Sequence, residues 1–127
     1  MDTNAVTSRA LPLETCKGIM VVLPDDGTDR RLMKALRHEQ GITRVDTVSV
    51  RAVAVLQEAK TRHGRLPEPT LAKLVTVVVT ETKADAVFDY IYDVAELDRP
   101  GGGMVWMEQL RGATPFLLPE SVPDEKD

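Results

Sequence analysis

The sequence is short of the residues that mark several protein classes. Its 127 residues include one cysteine, Cys16, and two histidines, His38 and His63. A lone thiol closes no internal disulfide, and no cysteine or histidine stands near it at zinc-site spacing, so Cys16 reads as a reduced thiol. The histidines are far apart in sequence, and a metal site would need carboxylates to complete it. No nucleophile, base and orienting acid can be assembled, so no enzyme activity and no catalytic residue are expected. Positive charge is scarce as well: 16 Lys and Arg against 20 Asp and Glu leave a net charge of −4 and a pI near 5.2, with no basic stripe. A nucleic-acid binder needs a basic face for phosphates, which excludes that class. Long apolar runs are also missing. Stretches such as LVTVVV at 74–79 are too short to cross a bilayer, and the N-terminus lacks a charged and apolar signal segment, so the expected location is the cytoplasm.

What is present suits one domain with one core. Residues 1–15 have no hydrophobic period and residues 120–127 are charged and proline-bearing, so both are expected to be disordered, leaving a folded domain over 16–119. GIMVVL at 18–23 is a short apolar run that suits a covered strand. In the following PDDGTDRR, Asp25, Asp26 or Thr28 can accept hydrogen bonds from a helix's first amides, and Asp29 suits the positive end of its dipole. Leu32, Met33 and Leu36 form the stripe of that first helix, His38 sits at its end as a dipole-complementing surface residue, and Gly41 stops it.

Residues 42–56 predict a second strand with Val48, Val50, Ala52 and Ala54 on one face and Thr47, Ser49 and Arg51 on the other. Charge, one glycine and two prolines interrupt the pattern over 57–70, and LAKLVTVVVTE at 71–81 returns to β-branched residues, which together predict a wide hairpin with a large, mobile tip. Thr82 can cap a second helix whose buried stripe is Val87, Phe88, Ile91, Val94 and Ala95, with Asp85, Asp89, Asp93 and Glu96 wet. That helix ends before Pro100, and MVWMEQL at 104–110 is the last strand.

The order is β-α-β-β-α-β, the ferredoxin-like α+β fold with two helices on one face of a four-stranded antiparallel sheet. Strand three is apolar on both alternating sets, Leu74, Thr76 and Val78 on one and Val75, Val77 and Val79 on the other. A second apolar face needs a cover, and a symmetric homotrimer is the expected one. Trp106 belongs to the core or to that interface. Three glycines at 101–103 exceed what a helix-to-strand turn needs, which suggests close approach to the backbone.

The element order, the opening KGIMVVLPDD, the GIT turn, the long charged loop and the helix running into GGGMVWMEQL resemble the PII signal-transduction family and its PII-like relatives over roughly residues 16–112. The resemblance implies a trimer that binds adenine nucleotides in clefts between subunits. It also implies a T-loop, here about 56–70, that docks on a membrane transporter or an enzyme. In PII proteins the B-loop Gly-Asp-Gly-Lys wraps the nucleotide phosphates; Gly101, Gly102 and Gly103 match its first three positions and Met104 takes the place of the lysine. Converging glycine amides suit an anion on physical grounds too.

Arg111 stands alone where the family carries Arg-x-Arg, and Arg99 is a candidate to compensate. Fewer cations point to a nucleotide with fewer phosphates, ADP or AMP rather than ATP, or to weaker binding. SVRAVAVL lacks the family's glycine and glutamine at the root of the T-loop, and with Tyr90 and Tyr92 both on the second helix no tyrosine is left in the loop for uridylylation. Lys60, Arg62, His63 and Arg65 make the T-loop the most basic stretch of the chain, suited to an acidic partner surface or an anion. Two functions stay open. One is a sensor of an adenine nucleotide, with bicarbonate as a candidate second ligand, that controls a transporter or a partner in carbon or nitrogen regulation. The other is a structural or divalent-cation-tolerance-type trimer of the same fold in which the glycines are only a turn.

Overall fold

The computed structural model describes residues 11–52 and 70–115. Six elements follow one another: β1 (Cys16–Pro24), α1 (Thr28–Gln40), β2 (Val45–Ala52), β3 (Thr70–Thr80), α2 (Glu81–Val94) and β4 (Met104–Gln109). The sheet order is β2-β3-β1-β4. Because β1 is antiparallel to β3 and β4, and β3 is antiparallel to β2, the helix-linked pairs β1/β2 and β3/β4 run parallel. This is the split βαβ arrangement.

Alternation along the strands sorts the core. Ile19, Val21 and Leu23 of β1 stand with Val75, Val77 and Val79 of β3 on the helix side. Leu32 and Leu36 of α1 and Ala84, Val87 and Ile91 of α2 close over them. Phe88 and Val94, expected in the buried stripe, are half-buried at its margin, while Asp85, Asp89, Asp93 and Glu96 are exposed. Buried Asp29, in the first turn of α1, accepts a hydrogen bond from the Thr47 hydroxyl at 3.1 Å and pins that helix end to β2. Tyr90 of α2 donates its hydroxyl to Glu39 of α1, joining the two helices.

The opposite face has no layer from the described residues. The direct pairs Val48–Leu74, Leu74–Val22 and Val22–Met104 make one apolar row across all four strands, and Met20 beside Trp106 extends it. The apolar set foreseen in β2 therefore lies away from the helices, and Val48 is 51% exposed.

Several boundaries differ from those expected. The N-cap of α2 is Thr80 rather than Thr82, because β3 runs directly into the helix and Thr80 is the last residue with extended backbone. Glu14, placed by sequence in an unordered segment, bridges Ala113 through both backbone amides and pairs with Arg44 at 2.8 Å. The strand pairing thus continues beyond β1. Cys16 is free and fully buried, with its sulfur 3.6 Å from Arg44 Nη1. Residues 1–10, 53–69 and 116–127, which include the expected loop at about 56–70 up to 69, lie outside the described residues.

Candidate functional site

Two connections meet at one end of the sheet: the β1–α1 turn at 25–27 and the α2–β4 loop at 95–103. Gly27 occupies the N-cap of α1 with φ 92°, so no side chain stands at that position. Asp26 takes over from the residue before it. Its Oδ1 accepts from the Thr28 amide at 3.1 Å and the Thr28 hydroxyl at 2.6 Å, satisfying one of the free amides of the first turn. Of the three capping candidates read from sequence, Asp26 fills the role.

The second loop is shaped by how α2 stops. Glu96 adopts φ 54°, its amide returns to Asp93 O and that of Leu97 to Tyr92 O, while Leu97 buries its side chain. That is a Schellman stop with glutamate in the position that glycine usually fills. The last turn of α2 has no basic residue of its own, and Arg31 of α1 supplies the charge instead, donating to Val94 O at 3.3 Å and lying 3.6 Å from Glu96. From there the chain turns again through Arg99 N to Glu96 O and Gly102 N to Arg99 O, at 3.2 and 3.0 Å.

The glycines have different reasons to be glycine. Gly101 is exposed at φ 73° and Gly103 has φ 109°. A Cβ on Gly103 would lie 1.9 Å from Val22 O, so β1 itself forbids a side chain there. A Cβ on Gly102 would lie 2.7 Å from Arg99 Cγ and 2.9 Å from Glu96 O. For these two the close approach foreseen from sequence is made by the protein's own backbone and by Arg99. The Gly102 amide is also engaged within the loop, which leaves Gly101 as the exposed member of the triplet.

Arg99 lies across this junction. Its Nη2 donates to Asp26 Oδ2 at 3.1 Å and to Thr28 Oγ1 at 3.3 Å, while its shielded Nε has no acceptor. The Thr28 hydroxyl holds the Asp26 carboxyl below the usual carboxylate range; desolvation opposes this, and the Thr28 amide and Arg99 add to it. Sequence reasoning named Arg99 but missed Asp26 as its partner, since 73 positions separate the two.

The remaining predicted residues are dispersed. Met104 opens β4 with 47% exposure, and its place in the apolar row turns its side chain to the open face rather than to the glycine turn. Arg111 is exposed beyond the far end of β4, eight residues from Gly103, or roughly 26 Å of extended chain. Within one protomer these two candidates cannot hold the same small ligand. A cleft of about 530 Å³ lined by Thr43, Arg44, Asp46, Thr76, Val78 and Thr114 lies at that far end, with a smaller one of about 280 Å³ beside Glu14 and Lys83. Lys60, Arg62, His63 and Arg65 lie outside the described residues. Among the described residues no three His, Cys, Asp or Glu side chains are grouped to hold a metal ion, and no helix is long and apolar enough to cross a membrane.

This sheet order, with both helices on one face and a glycine turn leading into the last strand, is the ferredoxin-like architecture in the form seen in PII proteins. The chain is similar to the structure of Arabidopsis thaliana PII bound to citrate, at TM-score 0.57 and 14% identity over 76% of this chain and 78% of that one. It is similar too to B. subtilis GlnK, at TM-score 0.58 and 17% identity over 77% and 87%. No protein-family model and no curated protein matches the sequence. At these identities the likeness is one of fold: the chain has the fold of the PII proteins.

Proposed function

We propose that the chain is a PII-like regulatory sensor without catalytic activity, acting as a homotrimer in the cytoplasm. It binds an adenine nucleotide, ADP or AMP in preference to ATP, in clefts between protomers, with bicarbonate as a candidate second ligand. Through the loop at about 56–70, with Lys60, Arg62, His63 and Arg65, it controls a membrane transporter or a metabolic partner in carbon or nitrogen regulation. The observation that carries this reading is the exposed left-handed Gly101 on a PII fold, beside an apolar sheet face that lacks a cover among the described residues. Gly101 and Arg111 sit at opposite ends of β4, so a shared ligand requires the glycine end of one protomer and the cleft end of its neighbour. One similar structure holds citrate, a small polyanion, which suits an anionic ligand here as well.

The internal pairing of the Gly102 amide and of Arg99 favours the second reading, a structural or divalent-cation-tolerance-type trimer in which the glycines serve only the turn. Calorimetric titration with AMP, ADP and ATP, with and without bicarbonate, decides between them. Heat with ADP or AMP is expected, and none with any nucleotide removes the sensor. Gly101→Asn is the suitable probe, since asparagine tolerates positive φ and adds a side chain at an exposed position. A loss of at least about tenfold in affinity, with the fold retained, is expected if the nucleotide meets backbone there.

A further inference from the structure

We propose that Asp26 is a built-in competitor for the ligand's phosphates, which by holding Arg99 restricts the glycine turn to nucleotides of low charge. The inference rests on the nucleotide-sensor function and adds the residue that sets its specificity. Arg99 is the cation that the structure places against the triplet: its stem lies over Gly102, so close that a Cβ there would meet Cγ at 2.7 Å and Nε at 3.1 Å. Any larger residue at 102 would lift the guanidinium from its seat. Gly102 thereby fixes where this charge stands relative to the turn.

The charge is already countered. Asp26 Oδ2 takes Arg99 Nη2 at 3.1 Å, and Thr28 holds the other carboxylate oxygen by both hydroxyl and amide, so Asp26 is itself positioned. Nε–H is left without an acceptor. A phosphate oxyanion binds a guanidinium best through two parallel N–H donors; with Nε shielded, Nη1 and Nη2 form such a pair once Asp26 lets go. Ligand and Asp26 are therefore alternative partners of one group. Two further carboxylates, Asp25 and Asp98, are exposed on the same pair of loops, with Lys73 3.9 Å from Asp25. Each added phosphate meets a neutralised arginine and the exposed carboxylate of Asp98, so ATP gains nothing over AMP from the cation at this turn.

Replacing Asp26 by asparagine removes the competing charge and keeps an oxygen that can accept from the Thr28 amide, so the start of α1 is retained. Calorimetry with AMP, ADP and ATP on the wild-type protein, Asp26→Asn, Arg99→Gln and the double variant tests the idea. Asp26→Asn is expected to tighten ATP about fivefold and AMP by less than about twofold, the size of a half-exposed ion pair. In the Arg99→Gln background that gain should vanish, since Asp26 acts through Arg99. Equal changes for all three nucleotides, or a gain that persists without Arg99, would overturn the role of Asp26 while leaving the sensor intact. No binding of any nucleotide by any of the four proteins overturns both. Asp26→Ser, also neutral and able to cap, must reproduce the shift in selectivity; if Asp26→Asn fails to melt cooperatively, the serine variant alone decides.

Discussion

The two faces of the sheet are written in nearly the same residues and end in opposite states. On the helix side Ile19, Val21, Leu23, Val75 and Val77 have no exposure at all. One position along each strand, Met20, Val22, Leu74 and Val78 remain half-buried, and Val48 and Met104 are about half exposed. What separates the faces is the cover: two amphipathic helices contribute Leu32, Leu36, Val87 and Ile91 to one, and no described element covers the other. The lesson is that alternation of apolar residues locates a sheet but not its partner. A face this apolar contributes hydrophobic energy only when something removes it from water.

The sharpest way to break the comparison is to truncate matching residues on each side. Ile91→Ala empties a fully buried site beneath α2 and is expected to cost about 3 kcal/mol, within the usual range for buried isoleucine or leucine. Leu74→Ala, under dilute conditions that favour monomers, is expected to cost less than about 1.5 kcal/mol because its site is already wet. Urea unfolding curves compare the two. Equal costs would mean that the faces do not differ.

Next comes the cover itself. Trp106→Glu puts a charge on the edge strand of the open face, opposite Met20, without touching the helix-side core. If protomers associate through this face, the mass from sedimentation should fall from that of a trimer to that of a monomer while the melt stays cooperative. A charge buried in an interface without a partner costs several kcal/mol, enough to dissociate a micromolar complex. An unchanged mass for the Trp106→Glu variant would move the interface elsewhere.

How far the chain could be read from sequence follows the same division. The strands, the helices, the two apolar sets of β3 and the stop at Gly41 were legible because each depends on periodicity or on one residue's backbone freedom; Gly41 sits at φ 65° where expected. The end of α2 was not, because Glu96 takes the left-handed position without a glycine to mark it. The site was legible only in part. GGG announced a special turn, yet the distances that explain Gly102 and Gly103 are to Arg99, Glu96 and Val22, and only the folded chain shows that these fill the space. Asp26 and Arg99 belong to different loops, and no spacing rule connects them. Met104 matched a family position by count, but strand alternation turns its side chain to the other face.

The smallest effect sharpens the helix side, where the layer is held by more than apolar contact. Tyr90 donates to Glu39 across the helix pair, and its hydroxyl is pushed up to about 12, chiefly by desolvation and then by the hydrogen bond and negative charge of Glu39. The folded protein therefore prefers the neutral phenol more than the unfolded chain does, whose tyrosine ionises near 10. The stabilisation is complete below pH 10 and is lost as the pH rises from about 10 through about 12. Tyr90→Phe removes it at every pH, at a cost of about 1 kcal/mol at neutrality. The gap in stability between wild type and variant should accordingly close across that alkaline window. A gap that stays constant for Tyr90→Phe would show that the contact between α1 and α2 does not depend on this proton.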